Sequence, residues 1–442
     1  MKQATIGVIG LGYIGQPTVA ALANVGYRVV GMDIDAEKVT LLQGGNATLY
    51  EPGLSETLRR CQHLIHFTTS YEELMAQCEA VLITVGTPIG ADNTPDMRAL
   101  DTVVQQISAH LRPGQTVILR STVTPGTTVA VSEQIEEISG LKCGADFFCA
   151  FCPERTIEGL ALYELYNLPK IIGGINPAST ERTAEILKRL GGKVVKVSSA
   201  SVAELCKLAD NMYRVLNIAF ANEFGLICET AGEDAYEVVG AVNSAYNRTS
   251  IFRPGLGAGG PCLSKDPVIL SYFANGKGVA TPIVDACVSG NLAATRRPAE
   301  EALRFIAEQQ LKQPRIAILG LSFKGSPETD DLRGAPALDI HRALLDAGKV
   351  DGVTMHFSFF DPLVQQFAGQ QTARSIEECI PGAHVVLLLT DHAMLRNLSL
   401  AFLLQYTARP TLILDAWRNI VDVDHAELPK DAYLVRIGSP VR

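Results

Sequence analysis

The stretch Ile6-Gly7-Val8-Ile9-Gly10-Leu11-Gly12-Tyr13-Ile14-Gly15 decides the architecture. Thr5–Ile9 is an apolar, β-branched run, glycines force the turn after it, and Pro17–Gly26 carries a helical pattern. A strand, a glycine-rich turn and a helix in that order open a βαβ unit. The next strand, Arg28–Asp33, ends in an acid 18 residues beyond Gly15. In such a unit Gly10, Gly12 and Gly15, with Tyr13 and Ile14 in the same turn, let backbone N–H groups and a helix N-terminus approach a pyrophosphate. Asp33 then takes the ribose hydroxyls, and an acid there disfavours a 2′-phosphate, so the expected cofactor is NAD rather than NADP. The alternative is a tight strand–helix turn followed by a solvated aspartate.

Working outward, Ala80–Val85 and Thr116–Arg120 read as further strands, Ala99–Leu111 as a helix and Val194–Val197 as the last strand of this unit. From Ser201 to Ala231 there is no proline, and Val202, Leu205, Leu208, Met212, Val215, Ile218, Phe224 and Ile227 recur at helical spacing. One long helix is expected, with Ser201 as its cap and Gly232 as its stop. More helical sequence runs to Arg297, interrupted by Arg253-Pro254-Gly255-Leu256-Gly257-Ala258-Gly259-Gly260-Pro261-Cys262. After Gln313-Pro314 the strands resume at Arg315–Leu319, Val353–Phe360, Ala383–Leu389 and Thr411–Asp415. Here the chain echoes itself: Ile6–Gly15 aligns with Ile316-Ala317-Ile318-Leu319-Gly320-Leu321-Ser322-Phe323-Lys324-Gly325 at a constant offset of 310. The expected fold is α/β, with two Rossmann-like doubly wound parallel-sheet domains, 1–198 and 313–442, joined by a central helical region, 199–300, with one long helix.

The chain has 442 residues, 47% hydrophobic and 19% charged, which suits several packed domains and excludes disorder as the main state. Its net charge of −9 argues against a general nucleic-acid binder. No apolar run reaches the length of a membrane span, and the start, Met1–Val8, reads as the lead into a strand rather than a signal peptide. Ten scattered cysteines do not form the pattern of a small secreted disulfide scaffold, so a cytoplasmic location is expected.

Four further constellations carry chemistry. Cys262 follows four glycines and precedes Leu263-Ser264-Lys265-Asp266, a setting in which a substrate can approach a thiol closely. Cys206, Cys228 and Cys287 read as inert core, and Cys149 with Cys152 has no second pair at metal-site spacing. On the long helix Glu204, Lys207, Asn211 and Arg214 share one face. That face is either a solvent stripe or the lining of a cleft, in which a lysine suits an oxyanion and an asparagine a positioned water. Cys152-Pro153-Glu154-Arg155, Ser121-Thr122-Val123 and Gly86-Thr87-Pro88 follow strand ends, where ligands bind in such sheets; Glu154 is a general base or a turn cap. In the second repeat Ser322 stands for Gly12 and Lys324 for Ile14, with Asp330-Asp331-Leu332-Arg333 downstream. This is either a phosphate-contacting loop or a decayed duplicate kept for packing.

Together with Tyr50-Glu51-Pro52-Gly53-Leu54, these motifs resemble the nucleotide-sugar 6-dehydrogenases of the UDP-glucose/GDP-mannose type over nearly the whole chain. The resemblance implies an N-terminal NAD domain, a central dimerisation region and a C-terminal nucleotide-sugar domain. It also implies oxidation of a sugar C6 alcohol to a uronate of the kind used in polysaccharide biosynthesis, with two NAD+ consumed. By resemblance Cys262 is the nucleophile, Lys207 and Asn211 stabilise the oxyanion, Asp266 and Thr122 handle water and protons, and Glu154 contributes to thioester hydrolysis. Thr87 and Thr122 line the cofactor. Arg155, Gly259, Phe323, Lys324 and Arg333 contact the nucleotide-sugar with Glu154, Lys207 and Asn211, and Arg248 reaches the substrate of a partner subunit in a homodimer. No metal is implied.

The loop Ala258–Pro267, with Cys152–Arg155 and Lys170-Ile171-Ile172-Gly173-Gly174, is more similar to the UDP-N-acetylhexosamine branch, in particular UDP-N-acetylmannosamine, than to UDP-glucose relatives. It departs from that branch at Glu158, where relatives often have proline, and at Pro261, where they often have histidine. UDP-glucose and UDP-N-acetylglucosamine are the alternative substrates. A non-catalytic sensor of NAD or nucleotide-sugar is the alternative from another class; binding alone does not require a nucleophile.

Overall fold

The apolar run at the start of the chain forms β1, Thr5–Ile9, in a computed structural model that describes residues 4–422 and 428–440. Met1–Gln3, the beginning of the segment read as leading into that strand, lie outside the described residues, as do 423–427 and 441–442 of the expected third domain. The chain divides into two compact units, Met1–Asn211 with Val268–Ala280 and Met212–Pro267 with Thr281–Arg442. Residues of the expected central region fall in both.

The first unit is built on β1, β2 (Arg28–Met32), β3 (Ile65–Thr68), β4 (Ala80–Ile83), β5 (Thr116–Leu119), β6 (Phe148–Phe151), β7 (Lys170–Gly174) and β8 (Val194–Lys196), in the order β3-β2-β1-β4-β5-β6-β7-β8. Pairing is parallel throughout except between β6 and β7. The chain reverses direction between β3-β2-β1 and β4-β5-β6, which opens a crevice at the carboxyl ends of β1 and β4. Both faces of the sheet are covered. Ile6, Val8, Leu82 and Ile118 pack into one core, and Ile9, Val81, Ile83, Val117 and Leu119 into the other. A strand with two buried faces is apolar at nearly every position, which is why β1, β4 and β5 read as near-continuous runs.

The second unit contains β9 (Arg315–Leu319), β10 (His356–Phe360), the short pair β11 (Gln366–Phe367) and β12 (Gln370–Gln371), β13 (Val385–Leu388), β14 (Leu398–Ser399), β15 (Thr411–Asp415), β16 (Ile420–Asp422) and β17 (Ala432–Arg436). Its main sheet runs β10-β9-β13-β15-β17 and is parallel. The side chains again alternate, Ile316 and Ile318 to one core and Ala317 and Leu319 to the other. The expected strand from Val353 begins only at His356, because the Val353 N–H is spent on the Gly348 carbonyl at the end of the preceding helix.

The long helix spans Ala200–Ala231. It starts one residue before the expected cap: Ser199, not Ser201, accepts the Val202 N–H through its hydroxyl at 3.3 Å. Gly232 ends it at φ +78°, as a left-handed stop requires. The polarity of its faces is the reverse of a solvent stripe. Glu204, Lys207 and Asn211 are buried, whereas Val202, Leu205, Tyr213, Leu216, Phe220 and Ile227 are exposed.

Candidate active site

In the first unit each glycine of the opening turn answers a different demand. Gly10 has φ +91°, which a side chain disfavours. A Cβ on Gly15 would lie 1.9 Å from the Gly10 carbonyl oxygen, so only glycine lets the helix Gly15–Asn24 start this close to β1. A Cβ on Gly12 would meet nothing within 4 Å. Packing therefore does not explain Gly12, and the space beside it is open to a ligand. Tyr13 and Ile14 are half-buried beside it, and no side chain caps the helix at Ile14. The Thr84 hydroxyl donates to the Gly10 carbonyl at 2.7 Å, tying the turn to the end of β4. Asp33, nearly buried, accepts the Leu11 N–H at 2.8 Å and the Lys38 ammonium at 3.0 Å through Oδ2, and the Asp35 N–H at 3.0 Å through Oδ1. Thr87 Oγ1 donates to the Thr122 carbonyl at 2.6 Å, so these two expected cofactor residues sit together at the ends of β4 and β5.

Glu154 follows β6 and is buried. Its Oε1 accepts the N–H groups of Arg155 and Thr156, each at 2.7 Å, and its Oε2 is paired with the Arg120 guanidinium. Burial disfavours the charge, but Arg120 and the Thr156 amide outweigh it and hold the carboxyl below the ordinary glutamate range. A carboxylate held this way is a poor proton acceptor; what it does is fix the chain at Arg155 and Thr156.

Arg120 is a site residue that sequence reasoning passed over as the end of a strand. Its Nη1 also lies 4.0 Å from the Cys152 sulfur. The signal was a lone cation closing an otherwise apolar strand beside a Cys-Pro-Glu motif. Arg155 reaches across to Asp210 on the long helix, at 3.2 and 3.4 Å, next to Asn211. Glu204 has a structural occupation: it accepts the N–H groups of Gly126 and Thr128 and the Thr128 hydroxyl at 2.6–2.7 Å, capping the helix Thr127–Ser139. Lys207 and Asn211 follow it on the same buried face.

In the second unit Cys262 is the one exposed cysteine among the described residues, and no disulfide joins any of them. Cys149, by contrast, is fully buried, and burial pushes its thiol well above the ordinary value. The Cys262 carbonyl accepts the N–H groups of Lys265 (3.2 Å) and Asp266 (3.0 Å). That single turn sets Cys262 against buried Asp266, which Lys265 contacts at 2.9 Å.

The glycines before Cys262 differ from expectation in their reason. Added Cβ atoms would strike the Trp417 ring from Gly255, Thr295 and Asn291 from Gly257, Pro336 and the Gly334 carbonyl from Gly259, and the Phe323 ring from Gly260, all at 2.5–2.9 Å. They are small so that the loop can dock on its own unit. Lys324 donates to the Pro327 carbonyl at 2.5 Å with its ammonium 5.4 Å from the Phe323 ring centre. Arg333 grips Asp331 through Nε and Nη2 at 2.7–3.0 Å. Arg248 is exposed, stacked over the Tyr246 ring at 4.8 Å.

Family models match in the order these features predict: the NAD binding domain over residues 4–191, the central domain over 201–292 and the UDP binding domain over 317–423. The chain belongs to the UDP-glucose/GDP-mannose dehydrogenase family. It is an NAD-dependent nucleotide-sugar dehydrogenase, and the turn at Gly10–Gly15 fits its dinucleotide, since a Cβ on Gly12 would point into the space left open. The UDP-N-acetyl-D-mannosamine dehydrogenase of Methanococcus maripaludis is 33% identical over 397 residues, covering 88% of this chain and 87% of that protein. The solved UDP-D-ManNAc dehydrogenase of Pyrococcus horikoshii superposes with TM-score 0.87 at 29% identity over 98% of this chain and 99% of that one. A UDP-glucose dehydrogenase from Pyrobaculum islandicum reaches TM-score 0.83 at 27% identity over 99% and 98%, so the shared fold does not select the sugar. Among the described residues no helix is long and apolar enough to cross a membrane, and no group of three or more His, Cys, Asp or Glu is placed to hold a metal ion.

Proposed function

We propose that this dehydrogenase oxidises the C6 hydroxyl of UDP-N-acetylmannosamine to the carboxylate. The balance is one alcohol, one water and two NAD+ giving one carboxylate, two NADH and three protons. Bound NAD+ supplies the hydride acceptor for each of the two oxidations. Cys262 supplies what links them: its sulfur adds to the C6 aldehyde, and the thiohemiacetal carbon again carries a hydride to give up. The thioester that remains breaks at its C–S bond when water adds, returning the thiol. Lys207 and Asn211 stabilise the oxyanion of each tetrahedral species, while Asp266 and Thr122 order water and protons. Glu154 serves hydrolysis through the loop it anchors. Phe323, Lys324 and Arg333 hold the UDP, with Arg155 and Gly259 beside the sugar.

The observation that carries this reading is the exposed Cys262 thiol one turn from buried Asp266 on a loop docked against Phe323. The relatives named above support the choice of sugar. Tyr213, Leu216, Phe220, Ile283 and Leu292 are exposed apolar side chains of the kind a homodimer covers, and in such a dimer Arg248 serves the partner's substrate. Ten cysteines with no disulfide among the described residues suit a reducing cytoplasm.

A panel of UDP- and GDP-sugars with NAD+, followed at the nicotinamide absorbance, tests the assignment. UDP-N-acetylmannosamine is expected to yield two NADH per sugar without free aldehyde, and Cys262→Ala to form no acid while still binding NAD+. Activity with UDP-glucose alone overturns the sugar, and one NADH per sugar overturns the thioester route.

A further inference from the structure

The loop that carries the thiol and the loop that carries the UDP-binding side chains meet at three glycines. Gly260 lies two residues before Cys262, at φ +86°, and a Cβ there would sit 2.6–3.0 Å from three ring atoms of Phe323. Its N–H donates to the Gly334 carbonyl at 3.0 Å, and its own carbonyl accepts the Ser264 hydroxyl at 2.7 Å. Gly334, at φ +61°, is also closely packed: its Cβ would lie 3.2–3.4 Å from the Gly260 backbone, in a conformation that strains any side chain. A Cβ on Gly259 would be 2.8 Å from the same Gly334 carbonyl.

On the other side of the junction, Phe323 donates its N–H to the Asp331 carbonyl at 3.1 Å, and Asp331 holds Arg333, the residue before Gly334. Backbone, ring face and ion pair therefore form one continuous network from Arg333 and Phe323 to the turn of Cys262. A shift of Phe323 or Gly334 has to displace Gly260, and the Ser264 bond passes that shift into the Cys262 turn.

We propose that the Gly260–Phe323–Gly334 junction couples occupancy of the nucleotide end of the site to the position of the Cys262 thiol, so that a bound UDP moiety sets the nucleophile before the sugar reacts. Gly260 and Gly334 are positioning residues in this scheme. It rests on the reading of Phe323, Lys324 and Arg333 as UDP contacts. Its physical basis is differential: UDP shifts the thiol only if it binds the two loop arrangements unequally.

The test is the alkylation rate of Cys262 by iodoacetamide in the full chain, read by mass spectrometry of its peptide, with and without saturating UDP. UDP carries no sugar to cover the thiol, and its binding is measured separately by calorimetry. In the unsubstituted protein UDP is expected to slow alkylation about 5-fold or more, the lower end of ordinary coupling between sites. In Gly260→Ala, and independently in Gly334→Ala, UDP is expected to bind yet change the rate by less than about 2-fold. Bound UDP with no effect on the unsubstituted protein overturns the coupling and leaves the UDP-contact reading standing, whether or not either variant folds. An equal effect in the variants means direct shielding and also overturns it. Failure of UDP to bind overturns both readings.

Discussion

The turn at Gly10–Gly15 and its echo at Gly320–Gly325 begin alike and end in opposite surroundings. In the first, the Leu11 N–H donates to Asp33 at 2.8 Å; in the second, the Leu321 N–H donates to Asp361 at 2.7 Å. Each acid directly follows the second strand of its repeat, and Gly10 and Gly320 share a positive φ, +91° and +84°. Then they part. Gly12 is exposed with open space at its Cβ position, whereas Ser322 is buried, its hydroxyl 2.9 Å from His392 Nε2. Both oxygens of Asp361 are spent, Oδ2 on Leu321, Ser322 and His392 and Oδ1 on Leu363 and Val364. Burial works against the Asp361 charge, but His392 and these amides hold its carboxyl below the ordinary range. A cavity of about 390 Å³ persists beside it, lined by Phe360, Thr372, Arg374 and Met394, yet no carboxylate oxygen is left for a ribose. The buried Ser322 hydroxyl, His392 and the commitments of Asp361 together make this a packed turn where the first is open.

The same divergence recurs at the next strand end. After β5 the first unit buries a cation, Arg120, against Glu154; β15 of the second ends in a buried anion, Asp415, met by the N–H groups of Trp417, Asn419 and Ile420 at 2.9–3.2 Å. Arg120→Met strands the Glu154 carboxylate and is expected to have the largest effect, a loss of roughly 3–5 kcal/mol in denaturant unfolding. A loss under about 1 kcal/mol would show that the pair is a solvated contact.

Gly12→Val probes the open turn. NAD+ affinity is expected to fall about 100-fold or more in titration calorimetry, roughly 2.7 kcal/mol, with the melting temperature unchanged because a Cβ at this position has no atom within 4 Å. A matching loss of stability would mean that Gly12 is a packing residue like Gly15. For the closed turn, His392→Leu leaves the Ser322 hydroxyl only its bond to the Lys324 carbonyl (2.9 Å) and takes the buried imidazole away from Asp361. It is expected to cost about 1–3 kcal/mol and to raise KM for the UDP-sugar while KM for NAD+ holds. Ser322→Gly is expected to create no second NAD+ site, because Asp361 stays committed.

The smallest effect is the acid dependence of stability, and its sign differs between the two units. The Glu154 carboxyl is lowered in the folded chain, so its contribution is complete above the ordinary value of 4.5 and is lost as the pH falls through the folded one. Asp415 is raised by burial, against the pull of the Ile420 and Asn419 amides. Its contribution is complete below 3.8 and is lost as the pH rises through the folded value. Urea titrations across the acid range are expected to slope less steeply upward in Glu154→Gln and less steeply downward in Asp415→Asn. Parallel slopes in both variants would contradict the contrast.

Local sequence determined a good deal of this protein. A strand buried on both faces is apolar at nearly every position, so β1, β4, β9 and β15 stand out as runs, and a turn that admits a pyrophosphate has to be glycine at the point of approach. The offset repeat follows from the same two constraints applied twice, and Cys262 is conspicuous because it follows glycines. Tertiary structure alone decided which face of the long helix is inside, since periodicity marks a face without saying what covers it: Glu204 turned inward to cap another helix while Tyr213 and Phe220 stayed out. It also decided that the glycines before Cys262 serve docking rather than access, that Arg120 belongs with Glu154, and that His392 fills the second turn. Each of these is a contact between residues 30 or more positions apart, and the free energy of such a contact depends on a neighbour that the local sequence does not name.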